Sequence, residues 1–196
     1  MAARKGRVTA GELAARLAAD PVYQERFRLQ EEERRKRSVA LNTAQAPLVA
    51  ELTAAGKPVH DVWDLVGESR PYPELLPILL KHLGRAYPDR VREGIARALA
   101  VPDSRPAWGA LVKAFKAETA KGPKDGLACA LGATMTADTL DEYITLLRDP
   151  RHGSSRVLMI RALARARDPR AKMAMLELSA DPVLAKEVAA KTKRRR

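Results

Sequence analysis

Cysteine occurs once in this chain of 196 residues, at Cys129. A lone thiol excludes an intramolecular disulfide and any zinc site built on cysteine pairs. Aromatic residues make up only 4%, and with little β-branched clustering this argues against a sheet protein. His60, His82 and His152 lie far apart and form no ligand pair. No apolar run approaches the roughly 20 residues that span a bilayer. Also missing are a glycine-rich phosphate loop, a Gly-x-Ser-x-Gly elbow, a His-Glu-x-x-His helix and a calcium loop. The basic stretch Met1 to Arg7 is followed by a segment too charged for a signal peptide. From these absences the chain is expected to be cytoplasmic and non-enzymatic, without cofactor, metal, membrane span or small-molecule substrate.

What is present favours helices. Ala, Leu, Arg and Glu recur throughout, and hydrophobic residues reach 46% beside 31% charged ones. A chain of this length buries one sizeable core or one extended stack. The formal net charge is +12, unevenly spread: residues 1–46 hold 10 basic and 6 acidic side chains, residues 47–102 hold 7 of each, and residues 103–196 hold 19 against 11. Lys191 and Lys193 to Arg196 end the chain in a basic run. Such a half could attract nucleic acid or an acidic protein, although basic ends are often simply solvated.

The strongest pattern is internal repetition. Arg92-Glu-Gly-Ile-Ala-Arg-Ala-Leu-Ala100 returns 32 residues later as Lys124-Asp-Gly-Leu-Ala-Cys-Ala-Leu-Gly132, and 32 later again as Arg156-Val-Leu-Met-Ile-Arg-Ala-Leu-Ala164. Upstream of each, Leu76 aligns with Trp108 and Leu140, Leu79 with Leu111 and Tyr143, Leu80 with Val112 and Ile144, and Leu83 with Phe115 and Leu147. Both stripes carry helical period: Val91, Ile95, Ala98 and Leu99 on one, Leu76, Leu79, Leu80 and Leu83 on the other. A looser copy follows, with Met175 to Leu178 in its first helix and Val183 to Lys191 in its second; an earlier one begins at Pro47 to Leu52. Between stripes stand turn and helix-start signals, among them Pro88-Asp89, Pro102-Asp103, Asp149-Pro150, Asp168-Pro169 and Asp181-Pro182. Each unit is therefore a helical hairpin that must bury its apolar faces against neighbours.

This unit, a leucine-rich helix, a turn, then Arg-x-x-x-Ala-x-Ala-Leu, resembles a HEAT repeat of the armadillo-like superfamily, and its shortness is similar to the short bacterial HEAT-like repeats. The likeness covers residues 71–190 and, more weakly, 47–70. It implies an all-α fold, an α-solenoid of stacked antiparallel hairpins, with clearest units at about 71–102, 103–134, 135–167 and 168–190. Gly94 and Gly126, inside second helices, suggest close backbone approach there. Residues 1–46 read as an N-terminal helical arm or cap, and 191–196 as a basic tail. In the arm, Thr9 to Glu12 form a capping box, Asp20-Pro21 starts a helix running to about Gln45, and Val22, Tyr23 and Phe27 offer an apolar beginning to pack on the array. Glu31–Arg35, Glu32–Lys36 and Glu33–Arg37 have i, i+4 spacing.

Candidate partner-binding residues come from a repeated basic column. Arg92, Lys124, Arg156 and Lys186 recur near the starts of second helices, with Arg97 and Arg161 further along. The resemblance implies that second helices line a concave surface, so the column could be a positive stripe for phosphates or carboxylates. The favoured reading is a structural ladder, with Asp89, Asp125 and Asp149 as local partners. Cys129 shares the column of Arg97 and Arg161 and reads as an inert side chain. Trp63, in an amphipathic helix over 59–66, reads as core.

The functional expectation is a protein-binding scaffold or adaptor whose partner is another protein, an acidic one by charge. The alternative is a nucleic-acid-binding solenoid. A remoter reading comes from the alkylpurine DNA glycosylases, an enzymatic branch of HEAT-like folds, which would use Trp63, Asp64 and Trp108. Trp108 shares a column with Leu76 and Leu140, which predicts a buried packing position instead.

Overall fold

The computed structural model describes residues 8–193. Among them are ten α-helices, linked by turns and four 3-10 segments, and no strand. No helix among the described residues is long and apolar enough to cross a membrane. The chain divides into two compact units, Met1–Thr43 and Ala44–Arg196.

The first unit holds α1 (Ala10–Ala19) and most of α2 (Pro21–Ala54). The capping box forms: the Glu12 amide donates to Thr9 Oγ1 at 3.2 Å, and the Thr9 amide donates to Glu12 Oε2 at 2.9 Å. Asp20 starts α2 by accepting from the Val22 amide at 2.9 Å. Of the expected charge pairs, Glu32–Lys36 is made at 3.1 Å, while Glu31 turns to Arg34 at 2.8 Å. Val22 and Phe27 are exposed, and Tyr23 is half-buried and stacked on the Phe27 ring. The helix expected to end near Gln45 runs on to Ala54 through Pro47. Proline there leaves the Thr43 carbonyl without its helical donor, the point at which the two units part.

In the second unit, Leu48 and Leu52 at the end of α2 are buried, and a 3-10 turn, Val62–Leu65, replaces the expected helix over 59–66. Then come α3 (Leu76–Leu83) and α4 (Asp89–Ala98), α5 (Trp108–Ala117) and α6 (Lys121–Thr134), α7 (Leu140–Arg148) and α8 (Ile160–Arg165), and α9 (Pro169–Leu178) and α10 (Ala185–Lys193). Within pairs, α3 packs on α4, α5 on α6 and α9 on α10; between pairs, α4 packs on α6, α6 on α8, α8 on α10 and α7 on α9.

Three columns of positions 32 apart are buried throughout, whereas Leu80, Leu83 and Trp108 are half-buried in columns whose other members are buried. Ile95, Leu127 and Met159 are buried, as are Leu99, Leu131 and Leu163, and Leu79, Leu111 and Tyr143. Tyr143 keeps the apolar column and donates its hydroxyl to the Met159 carbonyl at 2.7 Å, as a buried tyrosine must. Glycine marks the closest approaches. A Cβ on Gly94 would stand 2.5 Å from Val62 Cγ1, and one on Gly126 would stand 2.9 Å from both Ala96 Cβ and the Glu93 carbonyl. The Asp-Pro signals work locally: Asp149, Asp168 and Asp181 accept the amides of Arg151, Arg170 and Val183 at 2.8 to 3.0 Å.

One second helix departs from expectation. The repeat predicts a regular helix over residues 156–164, but a 3-10 stretch over Pro150–Met159 precedes a short α8. Gly153, at φ 59 and ψ −144, breaks the helical path. The basic run from Lys191 is α10 up to Lys193; residues 194–196, like 1–7, lie outside the described residues.

Candidate functional site

The candidate basic column separates into two classes of residue. Arg92 donates from Nη1 to Glu118 at 2.5 Å and from Nη2 to Asp89 at 2.7 Å. Arg156 is 1% exposed; its Nη1 donates to Asp181 at 2.7 Å and to the Leu147 carbonyl at 2.9 Å, and its Nε to the Gly153 carbonyl at 3.1 Å. Lys124 is half-buried and donates to the Glu118 carbonyl at 2.9 Å. Burial holds its ammonium below the usual lysine range. These three side chains are tied into the fold, and Arg156 in particular cannot meet a partner because its guanidinium is sealed from solvent.

Arg97 is intermediate. It pairs with Glu93 at 2.8 Å, lies 3.8 Å from Cys129 Sγ, and has its guanidinium carbon 5.8 Å from the Trp63 ring centre. Arg161 and Lys186 are exposed. Of the expected local carboxylates, Asp89 holds Arg92, whereas Asp125 holds Lys121 and accepts from Ser155, and Asp149 holds Arg151.

Arg161 opens onto a cleft of about 810 Å³. Its walls come from Ala100, two residues past α4, from α6 at Cys129, Gly132 and Ala133, from residues between Val157 and Ala166, and from Glu187 of α10. Small side chains keep the floor open. Leu158 is 40% exposed beside it, a large apolar group left facing water. Arg165, one turn beyond Arg161, lines the same cleft and is exposed. Neither arginine has an ion pair among the described residues, and like charges at i, i+4 repel by a few tenths of a kcal/mol, about 0.2–0.5. Arg165 and Leu158 are residues that column alignment missed. The signal for the arginine was local: two arginines four apart, with no carboxylate three or four residues from Arg161.

Cys129 is half-buried at the cleft wall, and burial raises its thiol above the usual cysteine range, with Arg97 partly opposing. No group of three or more His, Cys, Asp or Glu side chains that could hold a metal ion occurs among the described residues.

The residues of the glycosylase reading have structural duties. Asp64 accepts the amides of His60 and Asp61 at 2.8 and 3.1 Å, closing the 3-10 turn. The Trp63 indole donates to the Arg90 carbonyl at 3.0 Å, and the Arg90 guanidinium covers its face at 3.5 Å. Trp63 is thus half-buried rather than core. Trp108 is half-buried too; its indole reaches out to Glu142 at 2.7 Å. No family model, curated protein or solved structure matches the chain.

Proposed function

We propose that this chain is a non-enzymatic interaction module, an α-solenoid of HEAT-like hairpins that grips an acidic segment of a partner protein along its second helices. Support for the architecture comes from the 32-residue columns that share burial, and from second helices packing on second helices in succession. Stacked hairpins of this kind present extended surfaces rather than deep pockets.

The observation that carries the functional reading is the pair Arg161 and Arg165, unneutralised, beside exposed Leu158 on a cleft floored by alanine and glycine. An Asp- or Glu-bearing segment would neutralise the arginines, and an apolar side chain of it would cover Leu158. Elsewhere in the second unit, arginines such as Arg148, Arg151 and Arg170 have carboxylates on the chain itself. Arg161 and Arg165, like Arg70, Arg85, Arg90, Arg105 and Arg167, make no ion pair among the described residues, and they are the two arginines that line this cleft.

The test is a display library of Asp/Glu-rich peptides containing Leu, followed by affinity measurements on Arg161→Glu and Arg165→Glu. The expected result is selection of acidic-apolar segments, with each substitution weakening binding at least tenfold. A different outcome overturns it: no peptide selected, and oligonucleotides bound with steep salt dependence and undiminished by either substitution. The chain would then be a nucleic-acid-binding module.

A further inference from the structure

The last helical pair is underfilled. α9 packs on α7, and α10 on α8. Burial matches Leu140 of α7 with Ala171 of α9, Tyr143 with Ala174, and Leu147 with Leu178. Alanine therefore stands twice where the preceding first helix carries leucine and tyrosine, and the smaller side chains leave room. A groove of about 630 Å³ opens between α9 and α10, with Leu163 of α8 in its floor.

Both walls of the groove are helical stripes. α9 contributes Met175 and Leu176 between Lys172 and Ser179, and α10 contributes Val188 and Ala189 between Ala185 and Thr192, each set at i, i+3, i+4 and i+7. Leu176 is 75% exposed. In the same register α7, α5 and α3 carry Thr145, Lys113 and Lys81, all exposed and all polar. The outermost unit of a stack ordinarily keeps a polar outer face. Here leucine replaces the polar residue, in the pair that has no successor among the described residues.

Charge decides what fits there. No acidic side chain lines the groove, and its two charged residues are Lys172 and Lys191. Each carboxylate of residues 163–193 already has a base: Asp168 has Arg170, Glu177 has Arg148, Asp181 has Arg156 and Glu187 has Lys191. Arg167, Lys172, Lys186 and Lys193 make no ion pair among the described residues, and all but Lys172 adjoin a lining residue in sequence. A second copy of the chain would set like charges against each other across this face. A helix bearing carboxylates would complement it.

We propose that the groove takes an acidic amphipathic helix of a partner protein. Its apolar side chains at i, i+3, i+4 and i+7 enter between α9 and α10, and its Asp and Glu side chains meet Lys172 and the other unpaired bases. The groove shares only Ala166 with the cleft of Arg161 and Arg165, so the two surfaces are tested apart.

The probe is a synthetic helical peptide with leucine at those four positions and glutamate on its other faces, set against a version with lysine for glutamate. Each is titrated into the full chain by fluorescence anisotropy, with the Met175 methyl group followed by NMR. The acidic peptide is expected to saturate and to shift the Met175 signal, and the basic one to bind at least tenfold more weakly. Leu176→Gln, at a position too exposed to carry the fold, is expected to lower affinity at least tenfold, and Lys172→Gln to lower it less. Arg161→Glu, which disables the neighbouring cleft, is expected to change it less than twofold. No saturable binding, equal binding of the two peptides, or full affinity in Leu176→Gln would overturn the groove site. A loss in Arg161→Glu as large as in Leu176→Gln would overturn it too, by placing the peptide in the neighbouring cleft. So would a dimer of the free chain that Leu176→Gln abolishes, or binding to anionic phospholipid vesicles that depends on Leu176; the face would then belong to a second copy or to a lipid surface.

Discussion

Arg156 and Asp181 form a bond of 2.7 Å between a guanidinium sealed from solvent and the aspartate that starts the next helical segment. The same aspartate accepts the Val183 and Leu184 amides at 2.8 and 3.2 Å, so one carboxylate both caps the approach to α10 and anchors the hairpin before it. Removing the arginine leaves the Leu147 and Gly153 carbonyls and the carboxylate short of a donor. Arg156→Ala is expected to destabilise the fold by about 3–5 kcal/mol, the range for breaking one side of a buried pair. Urea unfolding followed by circular dichroism measures it. A loss under 1 kcal/mol would mean that the bond contributes little.

Close helix packing makes a sharper prediction at Gly126. Alanine is better than glycine in a helix by about 1 kcal/mol, yet its Cβ would stand 2.9 Å from the Glu93 carbonyl, which cannot swing away as a side chain tip can. Overpacking outweighs propensity, so Gly126→Ala should cost about 1–3 kcal/mol. Gly109, on α5 with open space around it, supplies the contrast. Gly109→Ala should be neutral or stabilising by up to about 1 kcal/mol. If both substitutions stabilised equally, the packing of α6 on α4 would be looser than the structure has it.

These sites show what the sequence could and could not disclose. The apolar columns were legible because packing repeats with helical period, and Gly94 and Gly126 announced close approach by sitting where glycine is unfavourable. The capping aspartates were legible from the Asp-Pro pairs. The roles of the basic column were not. Whether an arginine faces water or a carboxylate depends on residues 25 or 26 positions away, such as Glu118 for Arg92 and Asp181 for Arg156, and no local pattern carries that pairing. Gly153 likewise breaks a stretch whose alignment to Arg92 and Lys124 predicts a plain helix. The continuity of α2 through Pro47 was hidden because proline ordinarily signals a start.

Acid should unfold the second unit in a defined window. His82 is fully buried, with Nδ1 2.6 Å from the Tyr87 hydroxyl and Nε2 3.2 Å from Glu51 without hydrogen-bond alignment. Burial, the foremost cause, holds its pKa below the usual value, aided by Lys81 and Arg85 and opposed by Glu51; His152 is lowered as well, again by burial first. A histidine in the unfolded chain gains its proton near pH 6.5, before either folded ring does. Protons therefore favour the unfolded state as pH falls below that value, and stability rises with pH through the window. The urea midpoint should drop between pH 7 and pH 5, and less so in His82→Gln. A flat profile would show that both rings protonate as readily folded as unfolded.

Cys129 reports on the proposed partner cleft directly. Its thiol lines the wall that Arg161 and Arg165 share, and burial raises its pKa above the usual cysteine value. The thiolate is the reacting species, so alkylation by iodoacetamide at neutral pH should run at least tenfold slower than for free cysteine. Arg97, 3.8 Å from the sulfur, opposes the rise, and Arg97→Ala should slow the reaction further unless it also opens the wall. Raising the pH from 7 to 9 separates those two effects, because exposure speeds reaction at every pH whereas a pKa change alters the profile. An acidic-apolar peptide seated on Leu158 and the two arginines would shield the sulfur, and its protection should saturate at the concentration at which the peptide binds. Labelling at full speed in the presence of a saturating peptide would place the partner on another face.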